Sequence, residues 1–163
     1  MSSPAQDGAR SAASATVEER LAALEACEAA RSLMARYADV VDDQDLSALG
    51  ELLADEVVVD VGMRIEGREA VLGFFGQAFA ADPTKKSHFI TNLKTRSLGD
   101  GRVGVDAYFL YTAADDVQSI IGWGTYADEV VVRGGVAHFT RIALAIRRSV
   151  DVRKGWTIPA ESA

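Results

Sequence analysis

At 163 residues the chain has the length of one domain and enough mass to bury a sizeable core. It carries 17 lysines and arginines against 24 aspartates and glutamates, and the resulting charge of −7 repels a phosphate backbone, so nucleic acid is not an expected partner. No apolar run approaches the roughly 18 residues of a membrane span, and no signal-peptide order opens the chain.

Residues 1–15 are rich in Ser and Ala and hold no large apolar side chain after Met1, so a disordered N-terminal tail is expected. Thr16-Val17-Glu18-Glu19 is a capping-box pattern. Val17, Leu21, Leu24, Cys27, Ala30, Met34, Tyr37 and Val41 then recur at steps of three or four, which predicts a long helix over 17–41 with these residues on its buried stripe. Cys27, the single cysteine, reads as a small buried residue; it excludes an intrachain disulfide and fits a cytoplasmic location. Asp45 is placed to cap a second helix over 46–54.

The β-branched run Val57-Val58-Val59-Asp60-Val61 predicts a strand, Gly62 a bend, and 63–66 a short return strand. A third helix is expected over 68–79, with Val71, Leu72, Phe75 and Phe79 on one face and Asp82-Pro83 ending it. Four long strands follow, over 87–97, 102–113, 117–132 and 136–148, separated by Gly- and Asp-rich turns. Gly122 and Gly124 predict a break or bulge in the third of them. The domain is thus expected over 16–150, with a C-terminal tail over 151–163. Helices segregated from antiparallel strands indicate an α+β fold. A strongly curved sheet closed on one side by helices makes a cone-shaped barrel around an internal pocket.

Within that frame, histidine usage is the sharpest functional clue. Only two occur, and His88 opens the strand-like run Ser87-His88-Phe89-Ile90-Thr91-Asn92-Leu93. The first helix runs out into Asp42-Asp43-Gln44-Asp45. A histidine held by a carboxylate is a competent general base or acid near neutral pH. The bland reading is a satisfied strand histidine and a surface aspartate or helix cap, and from spacing alone it carries the greater weight.

The element order and several phrases resemble the SnoaL-like branch of the nuclear transport factor 2-like superfamily. The phrases are 37–49 (helix-one to helix-two junction), Glu66-Gly67-Arg68-Glu69-Ala70-Val71, His88-Phe89-Ile90-Thr91-Asn92 and Gly124-Thr125-Tyr126-Ala127-Asp128-Glu129, within a similarity spanning about 17–148. The branch includes scytalone dehydratase and hexachlorocyclohexane dehydrochlorinase, which use an Asp–His dyad. By motif, the resemblance implies Asp42 and His88 as that dyad here. The lysine and arginine that the dehydrochlorinase adds fall at Tyr37 and Ile142, so its cationic helpers are not retained.

The implied activity is a cofactor-independent lyase or isomerase acting on a small, mostly apolar, oxygenated ring compound. Dehydration, double-bond shift and ring closure share one proton-transfer apparatus. Tyr37, Asn92, Tyr111 and Trp123 are the candidate substrate-binding residues: Asn92 by alternation from His88, Trp123 because its flanking glycines let the strand turn the ring inward. His138 reads as packed or half-exposed. No metal-ligand spacing and no nucleotide fingerprint occurs, so neither metal nor cofactor is expected. Two other readings stand beside this one: a small-molecule binding protein without chemistry, and an assembly module like the small subunit of a ring-hydroxylating oxygenase. Self-association through the open sheet face is implied by the resemblance.

Overall fold

A computed structural model describes residues 15–154, apart from the side chain of Lys154; most of both expected tails lies outside the described residues. The first helix, α1, spans Val17–Asp43. Its N-terminus is closed reciprocally: Thr16 Oγ1 accepts from the Glu19 N–H at 3.1 Å, and the Glu19 carboxylate accepts from the Thr16 N–H at 2.7 Å. The stripe is buried only from Ala26 onward, through Ala30, Leu33, Met34, Tyr37 and Ala38. Val17, Leu21 and Leu24 are 73, 54 and 68 % exposed, against expectation. A helix of 27 residues is about 40 Å long at ~1.5 Å per residue, and its first turns run past the core it covers.

The second helix, α2, spans Leu46–Leu52, with Asp45 accepting from the Ala48 N–H at 2.9 Å as its cap. It ends two residues earlier than expected because Leu53 and Ala54 already belong to strand β1, Leu53–Asp60, where Leu53 pairs with Phe139. Leu49, Leu52 and Leu53 are fully buried, and truncating any of them to alanine costs about 2–5 kcal/mol. Strand β2, Arg64–Glu66, pairs back on β1, and α3 covers Arg68–Ala81. Arg68 fastens the start of α3 to β1, donating to the Leu53 carbonyl and lying 3.1 Å from the Asp55 carboxylate.

The meander is β3 (Lys85–Gly99), β4 (Arg102–Ala114), β5 (Ser119–Arg133) and β6 (Val136–Asp151), followed by a 3-10 turn over Val152–Lys154. The sheet order is β2-β1-β6-β5-β4-β3, antiparallel except for the β1–β6 pair. Among the described residues this is a six-stranded, mostly antiparallel curved sheet with three α-helices, the cone-shaped α+β arrangement expected. Register shifts bend it: on β3 between Thr91 and Lys94, and between β5 and β6 at Trp123/Gly124 and Glu129/Val130. The helices lie on the concave face over a core that includes Met34, Tyr37, Val59, Val71, Phe109, Tyr126, Phe139 and Ile142.

Candidate active site

Asp42 lies in the last turn of α1, where Gln44 adopts a left-handed φ of 56° and stops the helix. A carboxylate at a helix C-terminus sits against the negative end of the dipole, so it needs donors from elsewhere. His88 supplies two. Its backbone N–H donates to Asp42 Oδ2 at 2.8 Å, and its ring Nδ1 lies 2.5 Å from Oδ1. Both side chains are mostly buried, at 13 % exposure for His88 and 21 % for Asp42. A carboxylate accepting from Nδ1–H fixes the neutral tautomer with its lone pair on Nε2.

His88 lines a cavity of about 330 Å³, at the lower end of the range for small-molecule sites. Phe75 and Phe79 of α3, Phe109 and Tyr111 of β4, Tyr126 of β5, and Leu144 and Ile146 of β6 form its apolar walls. Tyr111 stacks on the His88 ring with centroids 5.7 Å apart, and its hydroxyl lies 2.8 Å from Ser149 Oγ. The flanking glycines explain this placement. A Cβ on Gly122 would fall 2.4 Å from the Tyr111 ring, and one on Gly124 2.2 Å from the Ala145 carbonyl oxygen and 2.6 Å from the Phe109 ring. The glycines are the floor on which two pocket aromatics lie.

Three of the candidate substrate-binding residues are elsewhere. Trp123 alternates with those buried glycines, so its ring emerges on the outer sheet face, 36 % exposed. Asn92 is also exposed: it occupies a bulge at φ 51°, a conformation asparagine tolerates, and the extra residue breaks the alternation from His88. Tyr37 is 3 % exposed and sits in the core, edge-on to Tyr126 and Phe139, rather than on the cavity wall. Burial, and then the negative charge of Asp128, pushes its phenol up. Tyr111 alone of the four lines the cavity. His138 is half-buried beside Leu46, Glu51 and Arg68, away from Asp42.

The profile of the SnoaL-like domain matches residues 22–142, most of the chain. This chain belongs to the SnoaL-like domain family. Solved structures agree on the fold. A candidate scytalone dehydratase from Novosphingobium aromaticivorans superposes with a TM-score of 0.69 at 19 % identity, covering 83 % of this chain and 93 % of that one. The type 3 hexachlorocyclohexane dehydrochlorinase from Novosphingobium barchaimii gives 0.69 at 19 %, covering 81 % and 93 %. No protein with a curated description matches.

In this SnoaL-like domain the two positions without cationic helpers, Tyr37 and Ile142, are sealed in the apolar core, Ile142 at 1 % exposure. A cation does reach the cavity, from another element. Lys86, two residues before His88 on β3 and hence on the same strand face, lines the cavity and ion-pairs with Asp82 at 2.6 Å. Alternation from His88 was the signal that could have found it. Phe75, Phe79 and Leu144 were legible only as core-facing residues. Among the described residues, no cluster of three His, Cys, Asp or Glu side chains is arranged to hold a metal ion. Among the described residues, no helix is long and apolar enough to cross a membrane.

A second buried carboxylate lies deeper. Asp128 is 2 % exposed; Oδ1 accepts from the Ala143 N–H at 2.9 Å, while Oδ2 has no partner. Burial pushes its carboxyl up to about 8, against the opposing pull of the Ala143 bond and of Arg141. It bears on the two core phenols: burial first, then neighbouring charges including Asp128, raises Tyr126 as it raises Tyr37.

Proposed function

We propose that this SnoaL-like protein is a cofactor-independent acid/base lyase that eliminates water from a small, mostly apolar cyclic β-hydroxy ketone. The observation that carries the reading is the Asp42–His88 pair set into the wall of an otherwise apolar cavity. Nε2 of His88 takes the proton from the carbon next to the carbonyl, and the C–H electron pair becomes the carbon–carbon π bond of an enolate whose charge lies on the carbonyl oxygen. The same proton then passes from Nε2 to the departing hydroxyl, which leaves as water and yields the conjugated ketone. Asp42 stabilises the imidazolium that exists between the two transfers. Tyr111 packs beside the imidazole and gives the substrate ring an apolar wall.

Double-bond shift and ring closure use the same transfers without a leaving hydroxyl, so isomerase and cyclase activity belong to the same proposal. The dehydratase and dehydrochlorinase descriptions of the structural neighbours support elimination. The test is a panel of cyclic β-hydroxy ketones followed by ultraviolet absorbance of the conjugated product. Turnover by the wild type, lowered about 10²–10⁴-fold in His88→Gln and Asp42→Asn, is the expected result. Saturable binding of the same compounds without turnover points instead to a non-catalytic binding protein.

A further inference from the structure

Elimination through a carbonyl-stabilised anion needs a donor aimed at the carbonyl oxygen as well as a base at the carbon. Positions 37 and 142 cannot supply one, being closed in the core. Lys86 can. Successive same-face residues on a strand stand about 7 Å apart, enough to reach from a carbon at Nε2 to the oxygen of the same small ring. The Lys86 side chain is 15 % exposed and lies on the cavity wall.

Its position is built. Asp82 ends α3 and holds the Lys86 ammonium at 2.6 Å. The Asp82 carboxylate is itself fixed by the Thr84 N–H at 3.0 Å and the Thr84 hydroxyl at 2.6 Å, and Thr84 is 5 % exposed. The Asp82 carbonyl accepts from Gln44 Nε2 at 3.0 Å, which ties this corner to the helix end that carries Asp42. Burial opposes ionisation of Asp82, but Lys86 and Thr84 together outweigh it and hold the carboxyl below its usual range. The carboxylate thus stays charged and keeps the ammonium anchored, while an ammonium has three donors and Asp82 engages one.

We infer that Lys86 is the oxyanion-binding group of this pocket, with Asp82 as its positioning residue, and that the pocket selects compounds whose ring oxygen becomes anionic, as an enolate or phenolate. This rests on the acid/base reading above. As the α-proton moves to Nε2 the carbonyl oxygen gains the charge, and the Lys86 N–H donates to it without releasing its proton. When the hydroxyl leaves, the electron pair returns and the carbonyl is restored.

The test uses 4-nitrophenol, whose phenolate mimics the enolate and absorbs visibly, and 4-nitroanisole as its uncharged counterpart. The wild type is expected to bind the phenolate at least tenfold more tightly than the anisole. Lys86→Met should weaken phenolate binding about tenfold or more and leave anisole binding within twofold. Lys86→Arg, which keeps the charge and the bridge to Asp82, should retain the phenolate preference. His88→Gln should also retain it, because that residue moves the proton and not the oxygen. Equal phenolate affinity in wild type and Lys86→Met, with anisole binding intact in both, overturns the inference, as does a wild type that does not prefer the phenolate. If the elimination assay fails while phenolate binding still depends on Lys86, the lyase reading falls and the oxyanion site stands.

Discussion

Asp42 holds His88 with both of its carboxylate oxygens, one on the backbone N–H at 2.8 Å and one at the ring Nδ1 at 2.5 Å. The pair spans 46 positions of sequence and joins the end of α1 to β3. Any mutation at Asp42 therefore acts on the imidazole and on the chain that carries it.

The first prediction separates those effects. Asp42→Ala leaves a buried N–H and a ring N–H without an acceptor, at a cost of about 1–3 kcal/mol each where water cannot enter. Asp42→Asn retains one acceptor and should lose less stability. Urea unfolding at neutral pH checks the order: wild type, then Asn, then Ala.

Gly124→Ala should be the more damaging of the two glycine changes in β5. Its Cβ meets the Ala145 carbonyl, part of the neighbouring strand, whereas the Cβ of Gly122→Ala meets the Tyr111 ring. Overpacking costs about 1–3 kcal/mol, more where backbone must yield. Thermal unfolding should show the larger loss for Gly124→Ala. Gly122→Ala should fold, displace Tyr111 from His88, and weaken aromatic ligands in the cavity.

Most of the architecture was legible because the physics that sets it is local. Thr16 with Glu19, and Asp45 before Leu46, are caps whose geometry follows from residue type, and they fixed where α1 and α2 begin. The assignment of Asp45 as cap also left Asp42 free to meet His88. The errors have separate origins. Strand alternation holds only while the register is continuous, and the bulge at Asn92 reversed it. Glycines signalled a special site at 122 and 124 correctly, but they make room for side chains of β4, not for Trp123. Such cross-strand pressure has no trace in the residue order. Lys86 was missed for a plainer reason: the strand was expected to begin at Ser87, whereas it begins at Lys85, so Lys86 fell outside the run whose alternation places its side chain.

The Asp128 carboxyl gives a pH dependence of defined sign. Its ordinary value of 3.8 is raised to about 8 in the folded chain, chiefly by burial. Between those values the folded state keeps a proton that the unfolded state releases, so this group's stabilising contribution is full below about pH 4 and is lost as pH rises towards 8. Asp128→Asn removes the ionisation and keeps an acceptor for the Ala143 N–H. Its stability relative to wild type should therefore improve from pH 5 to about 8 and level off above that in denaturant titrations. A constant difference across that range would contradict the raised value.

The outer sheet face offers a separate test. Phe89, Leu110 and Trp123 stand in one cross-strand row, with Phe89 51 % and Trp123 36 % exposed. Self-association through this face predicts that Trp123→Glu lowers the sedimenting mass. Because the indole is outside the cavity, affinity for 4-nitroanisole should stay within twofold.

β3 is one of the two edge strands of the sheet, and edge strands present unpaired backbone donors that recruit other strands. At His88 that donor is occupied, because the N–H that does not face β4 points into Asp42. The carboxylate that would steer the imidazole thus also satisfies, at this position, a donor that an added strand would use. A variant that removes the Asp42 carboxylate should therefore free this edge donor as well as the imidazole, whereas one that alters only the His88 ring should leave the N–H bonded.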